Sequence, residues 1–122
     1  MDTVALIAAS LAALLHVAIF YIEALAFTQP ETYRRFMVSE EAVEFVRPWA
    51  FNQGFYNLFL GIGTAIGVSL WGWDHSVARA LICFGCACML GAAIVLVASD
   101  RRMARAAITQ GLLPLLALAT IW

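Results

Sequence analysis

Seven polar side chains stand in otherwise apolar sequence and could do chemistry: His16, Glu23, Asn52, Gln53, Tyr56, Asn57 and Gln110. Glu23 can give or take a proton, and His16 is a second titratable group in the same long apolar run. They are seven residues apart, so on a continuous α-helix they differ by only about 20° in direction. The amides and the phenol can orient a bound molecule by hydrogen bonds, since each amide both donates and accepts. We therefore read Glu23 and His16 as candidate catalytic residues and Asn52, Gln53, Tyr56, Asn57 and Gln110 as candidate ligand-binding residues. The competing reading is an interhelical hydrogen-bond network that only fixes the helices. Cys83, Cys86 and Cys88 form a Cys-x-x-Cys-x-Cys run, but no second ligand set with zinc spacing accompanies it. They read as small packing residues, and no metal site is expected. Phosphate-binding loops, Ser-His-Asp order and His-Glu-x-x-His are missing from the sequence.

The surroundings of these residues set their cost. Of 122 residues, 64% are hydrophobic and 12% charged, about half the ~25% charge of soluble domains. So few charges cannot cover a soluble surface of this size, which makes lipid the expected solvent. Seven Arg against eight acids leave no basic field for nucleic acid. The Thr3–Thr28 run has no basic leader, is long for a signal sequence and contains Glu23, so it reads as a permanent helix.

A helix needs ~20 mostly apolar residues to cross ~30 Å of hydrocarbon. Residues 3–28, 49–71, 77–99 and 103–122 meet that length, and their continuous Ala- and Leu-rich composition predicts helices rather than barrel strands. The expected fold is all-α: a single transmembrane domain, a four-helix bundle. Residues 29–48 are polar and are expected to lie on the membrane surface, with Pro30 starting a short helix, Ser39 capping a turn over 40–46, and Pro48 starting the second span. Small-residue pairs four apart, Gly63/Gly67, Ala87/Gly91 and Ala107/Gly111, predict close helix contacts within one bundle or between two copies.

Counting ~1.5 Å per residue from the span ends puts Asn52 and Gln53 roughly 5 Å deep, Glu23 8 Å, Gln110 10 Å, Asn57 12 Å and His16 18 Å. Polar groups that are costly in lipid and share one half of the membrane are expected to face one another, forming a polar pocket that opens toward the cytoplasm.

The string Asn52-Gln53-Gly54-Phe55-Tyr56-Asn57-Leu58-Phe59-Leu60 resembles the signature of small bacterial membrane proteins called domain of unknown function 1304. The His16 to Glu23 spacing and Gln110-Gly111-Leu112-Leu113-Pro114 fit the same pattern, whereas Leu90-Gly91-Ala92-Ala93 departs from it. The resemblance implies a four-helix fold in a bacterial inner membrane and supplies no function. The pocket suggests binding of, or acid/base chemistry on, a small apolar or amphipathic molecule such as an isoprenoid or lipid. A small transporter acting as a homo-oligomer, or an accessory subunit of a larger membrane complex, are the alternatives; membrane lipid is a partner in all three. The sequence names no cofactor.

Orientation follows from charge. Arg34, Arg35, Arg47, Arg101, Arg102 and Arg105 fall in or beside the first and third loops, which share a side, while the other side has only Arg79. The positive-inside rule then puts those loops in the cytoplasm and both termini outside. In a background without the native cysteines, a membrane-impermeant thiol reagent added outside should modify His75→Cys and spare Glu40→Cys; the reverse pattern would overturn the orientation.

Overall fold

The computed structural model describes residues 2–122, which are helical with no strand among them. The elements are α1 (Asp2–Phe20), continued by a wide π turn (Tyr21–Leu25), α2 (Pro30–Arg35), α3 (Val43–Ser69), α4 (His75–Ser99) and α5 (Ala104–Thr120). Short 3-10 turns at Glu40–Ala42 and Arg101–Met103 lead into α3 and α5. α1 and α4 each pack against both α3 and α5.

The packing reverses the order of a soluble protein. Ala5, Ala8, Ala9, Ala12 and Ala13 form the buried stripe of α1 at helical spacing, and His16 ends it. The large apolar side chains point outward: Leu14, Phe84 and Val95 are about two-thirds exposed, at 65%, 69% and 67%. In water such a surface would drive association. Against lipid tails it costs nothing, and small residues inside let backbones come close. Three helical stretches are long and apolar enough to cross a membrane: Asp2–Leu25, His75–Ser99 and Arg101–Thr120. α3 is long enough but not apolar enough, which departs from the four qualifying stretches read from sequence. Glu44 and Arg47 lie in its first turns, and Asn52, Gln53 and Asn57 interrupt its apolar run.

Four glycines set the register. A Cβ on Gly54 would meet Ala24 Cβ at 2.9 Å and the Phe20 carbonyl oxygen at 3.1 Å; on Gly61 it would meet the Ala13 carbonyl oxygen at 2.9 Å. These contacts fix α3 antiparallel against α1. Gly67 lies as closely on Ala78 and Ile82, and Gly111 on Ala93, tying α3 to α4 and α4 to α5. Of the small-residue pairs, Ala107/Gly111 packs with both members, Gly63/Gly67 through Gly67 alone, and Ala87/Gly91 with neither: Gly63 and Gly91 have open space beside them and Ala87 is exposed.

The polar ends are capped locally. Asp74 starts α4 by accepting from the Ser76 and Val77 amides at 3.1 and 3.0 Å. Asp100 accepts from the Arg102 amide and guanidinium, and that pairing holds its carboxyl below the usual range. Pro30 opens α2, as its fixed φ favours. Pro48, by contrast, lies inside α3 rather than starting it. The turn at Glu40–Ala42 nucleates α3 earlier, and the carbonyl that Pro48 leaves without its helical donor belongs to exposed Glu44, where water can serve it. Ser39 occupies the cap position of that turn without a side-chain cap bond. Phe27, Tyr33, Val43 and Ala50 form a second small core that folds the 26–42 segment over this end of the helices. Met37 reverses the chain after α2 with φ 57°, while the Val38 amide donates to the Tyr33 carbonyl.

Gly54→Ala should therefore lower stability by about 1–3 kcal/mol, because backbone rather than a flexible side chain must yield. Gly63→Ala should be neutral or stabilising by up to about 1 kcal/mol. Unfolding of both variants in detergent micelles checks the contrast; equal effects would reject the close-approach account.

Candidate functional site

The π turn gives α1 one residue more per turn just where Glu23 sits. The Ala26 amide donates to the Tyr21 carbonyl at 3.0 Å, five residues back. Gly54 presses on this turn at Ala24 and the Phe20 carbonyl, and Phe20 meets Phe55 edge-on with centroids 5.1 Å apart. Glycine at 54 lets α3 come close enough for the next turn to reach the carboxyl group. Such wide turns recur at functional sites, where they re-aim a side chain at some cost in helix geometry.

Asn57 is the partner of Glu23. Its Nδ2 donates to Glu23 Oε2 at 2.7 Å and to the Gln53 carbonyl oxygen at 3.1 Å. The Gln53 carbonyl can only accept, so the atom facing it must be the amide nitrogen, and the orientation of Asn57 is fixed. Both Nδ2 hydrogens are then used. Among the described residues, neither Asn57 Oδ1 nor Glu23 Oε1 has a hydrogen-bond partner, and no cationic group lies within ion-pair distance of Glu23. Glu23 and Asn57 are both half-buried, so the pair is sheltered but reachable.

The other candidate residues lie as follows. Gln53 joins the pair through its backbone carbonyl, with its side chain exposed. Asn52 and Tyr56 are exposed, Tyr56 at 60%. His16 is 1% exposed and beside Gly61, along the same α1–α3 seam; its Nδ1 donates to the Ala12 carbonyl at 2.9 Å. Sequence spacing on an ideal helix points His16 and Glu23 in nearly one direction; in the structure they make no hydrogen bond to each other, His16 bonding the Ala12 carbonyl and Glu23 bonding Asn57, as the ~10 Å axial rise over seven residues favours. Gln110 is half-buried on α5 and, among the described residues, makes no hydrogen bond to Glu23 or to the amides. Glu23, Asn57 and the Gln53 carbonyl thus come together; Asn52, Tyr56, His16 and Gln110 are not bonded to them.

Two open, largely apolar grooves lie elsewhere. One runs between α4 and α5 along Leu90, Ala93, Val97 and Gly111; the other lies between α1 and α3 along Ala13, Leu14, Gly61 and Ala65. Thr64 is buried with its Oγ1 unpartnered among the described residues, packed on Gly85. The cysteines are free, and Cys86 belongs to the core with Ala5, Ala9, Ile82 and Ile121. Sequence reasoning missed the part played by Gly54, Phe20 and Phe55. The one signal was a glycine set between amides and aromatics on a membrane-length helix.

The protein family described as "protein of unknown function (DUF1304)" matches residues 10–122. The chain belongs to this family. The DUF1304 match takes in His16, Glu23, the amide-rich turn of α3 and Gln110, so the Glu23–Asn57 pair lies wholly inside the family's segment. No curated protein and no solved structure matches the chain.

A double-mutant cycle on Glu23→Ala and Asn57→Ala should give a coupling of about 0.6–1.7 kcal/mol, the span measured for interhelical hydrogen bonds in membranes. Unfolding in micelles supplies the four values, and a coupling near zero would reject the pair.

Proposed function

We propose that this chain is an integral membrane protein of the bacterial inner membrane, with α1, α3, α4 and α5 crossing as a four-helix bundle and both termini outside. On this reading the segment between α1 and α3 and the α4–α5 turn lie in the cytoplasm, where their six arginines belong. The amides of α3 sit in the cytoplasmic half, sheltered by neighbouring helices or within reach of the headgroups.

We further propose that Glu23 and Asn57 form an intramembrane site that binds, or acts by acid/base chemistry on, a small apolar or amphipathic molecule of the isoprenoid or lipid kind. One observation carries this reading. A carboxyl group inside an apolar helical stretch has one oxygen held by Asn57 and the other without a partner among the described residues. A carboxyl group is costly at such depth, and one that serves packing alone is better replaced by an amide or an apolar side chain. His16, deeper along the same seam, is a second titratable group through which a proton could pass; on this reading Asn52, Gln53 and Tyr56, in the same turns of α3, and Gln110 of α5 would orient the bound molecule.

A second reading has one observation in its favour: an open apolar groove runs between α4 and α5, lined by residues other than Glu23. An accessory subunit would use the α4–α5 groove to receive a helix of its complex, and Glu23–Asn57 would then only lock α1 to α3.

A hydrophobic carbodiimide separates the two, because it adds to a carboxyl that is protonated and reachable from lipid. Treated in membranes, the protein should carry the adduct on Glu23, read by peptide mass spectrometry. Glu23→Gln should lose the adduct while its stability changes by no more than about 1 kcal/mol, since the amide can still bond to Asn57. A folded protein with no adduct on Glu23 from mildly acidic to neutral pH would overturn the acid/base reading.

A further inference from the structure

The two atoms left open at the Glu23–Asn57 pair define what the site can hold. Asn57 Oδ1 is an acceptor, since both amide hydrogens are committed to Glu23 and to the Gln53 carbonyl. Glu23 Oε1, the second oxygen of the carboxyl that Asn57 holds, is either a donor or an acceptor, according to whether the carboxyl holds a proton. With the proton, the site offers a donor next to an acceptor, and its complement is a group that does both. Without it, the site offers two acceptors, and its complement is a cation such as an ammonium. The choice rests on the surroundings. The described ion pairs of the protein, Arg47–Glu44 and Arg102–Asp100, lie outside the three apolar spans or at their ends, and no cationic side chain is in range of Glu23. An unpaired charge in a low-dielectric setting is the costlier alternative.

We propose that the site takes the hydroxyl group of an amphipathic alcohol, which accepts from the Glu23 carboxyl and donates to Asn57 Oδ1; this rests on the reading of the pair as an intramembrane binding site. The hydroxyl is the smallest group that satisfies both atoms. The apolar tail stays in the hydrocarbon, because Glu23 lies within the Asp2–Leu25 span. A methyl ether can accept but not donate and leaves Asn57 Oδ1 unmet. A carboxylate can only accept, and an ammonium can only donate.

The test uses the full chain in lipid nanodiscs and a long-chain primary alcohol carrying a diazirine in its tail. Photolysis should attach the probe to peptides containing Glu23 or Asn57. Competitors of one chain length then compare head groups. The unmodified alcohol should displace the probe roughly tenfold better than the methyl ether, the ratio expected for one lost hydrogen bond in a sheltered site, and better than the amine. Glu23→Gln should keep the alcohol preference within a few-fold, because its amide donates where the acid hydroxyl did. Asn57→Leu should abolish the preference while tail-driven labelling persists. If the amine competes best, the site holds a carboxylate and a cation, and the alcohol is rejected. If the ether equals the alcohol, only the tail is recognised and the hydroxyl is rejected. If no probe attaches near Glu23 or Asn57 in the wild-type protein, the binding-site reading itself falls, which the competition results alone would not do.

Discussion

The fold depends on how closely helix backbones can approach. At Gly54, Gly61, Gly67 and Gly111 a single added carbon would meet its neighbour at 3 Å or less. Between them the alanine stripe of α1 keeps the centre narrow. With lipid as the solvent there is no water to drive apolar side chains inward, so dispersion contacts between small residues and backbone must hold the helices together. Leu, Ile and Phe are then free to face outward, as they do along α1, α4 and α5. The same closeness builds the candidate site. Asn57 reaches Glu23 only because Gly54, one turn earlier, lets α3 rest on the backbone of α1.

Polar groups are placed by the same rule. His16 takes the last position of the alanine stripe and satisfies its Nδ1 on its own helix, at the Ala12 carbonyl. Thr64 is enclosed against Gly85, where the glycine Cα hydrogens face its hydroxyl oxygen, a weak contact of a kind common between tightly packed helices. Asn57 does the reverse and spends both hydrogens on one carboxyl group and one carbonyl. At the opposite end Trp71 stacks edge-on with His75 at 4.1 Å, and Arg79 lies 5.7 Å from the Trp122 ring, an aromatic border where apolar surface gives way to charge.

Much of this was legible from composition and run length, and the parts that were not share a cause. The helices themselves followed from long apolar runs, and α2 from Pro30. The Glu23–Asn57 contact was foreshadowed by depth, since two polar side chains on adjacent helices at one level have few other partners. The pairing of His16 with Glu23 was open from direction alone and does not occur: seven residues also separate them by ~10 Å along the axis, and each is bonded elsewhere. No propensity in Tyr21–Leu25 marks a π turn; it arises from the contact with Gly54, residues away in sequence and invisible to local patterns. The early start of α3 has a similar origin. Val43 and Ala50 are buried in the small core with Phe27 and Tyr33, and that tertiary contact outweighs the signal of Pro48.

The wide turn also divides α1 into two angular frames. Before it, the frame is set by alanines that face α3 and α5. After it, the frame is set by Glu23 and Ala24 against α3. A uniform α-helix would bind the two together at ~100° per residue, so that any change in the tilt of the alanine face would swing the carboxyl away from Asn57. The extra residue resets that phase by a fixed amount, acting as a phase shifter built into the backbone. The alanine face and the carboxyl can thus each meet α3 at its own angle, so long as the number of residues between Phe20 and Ala26 is kept.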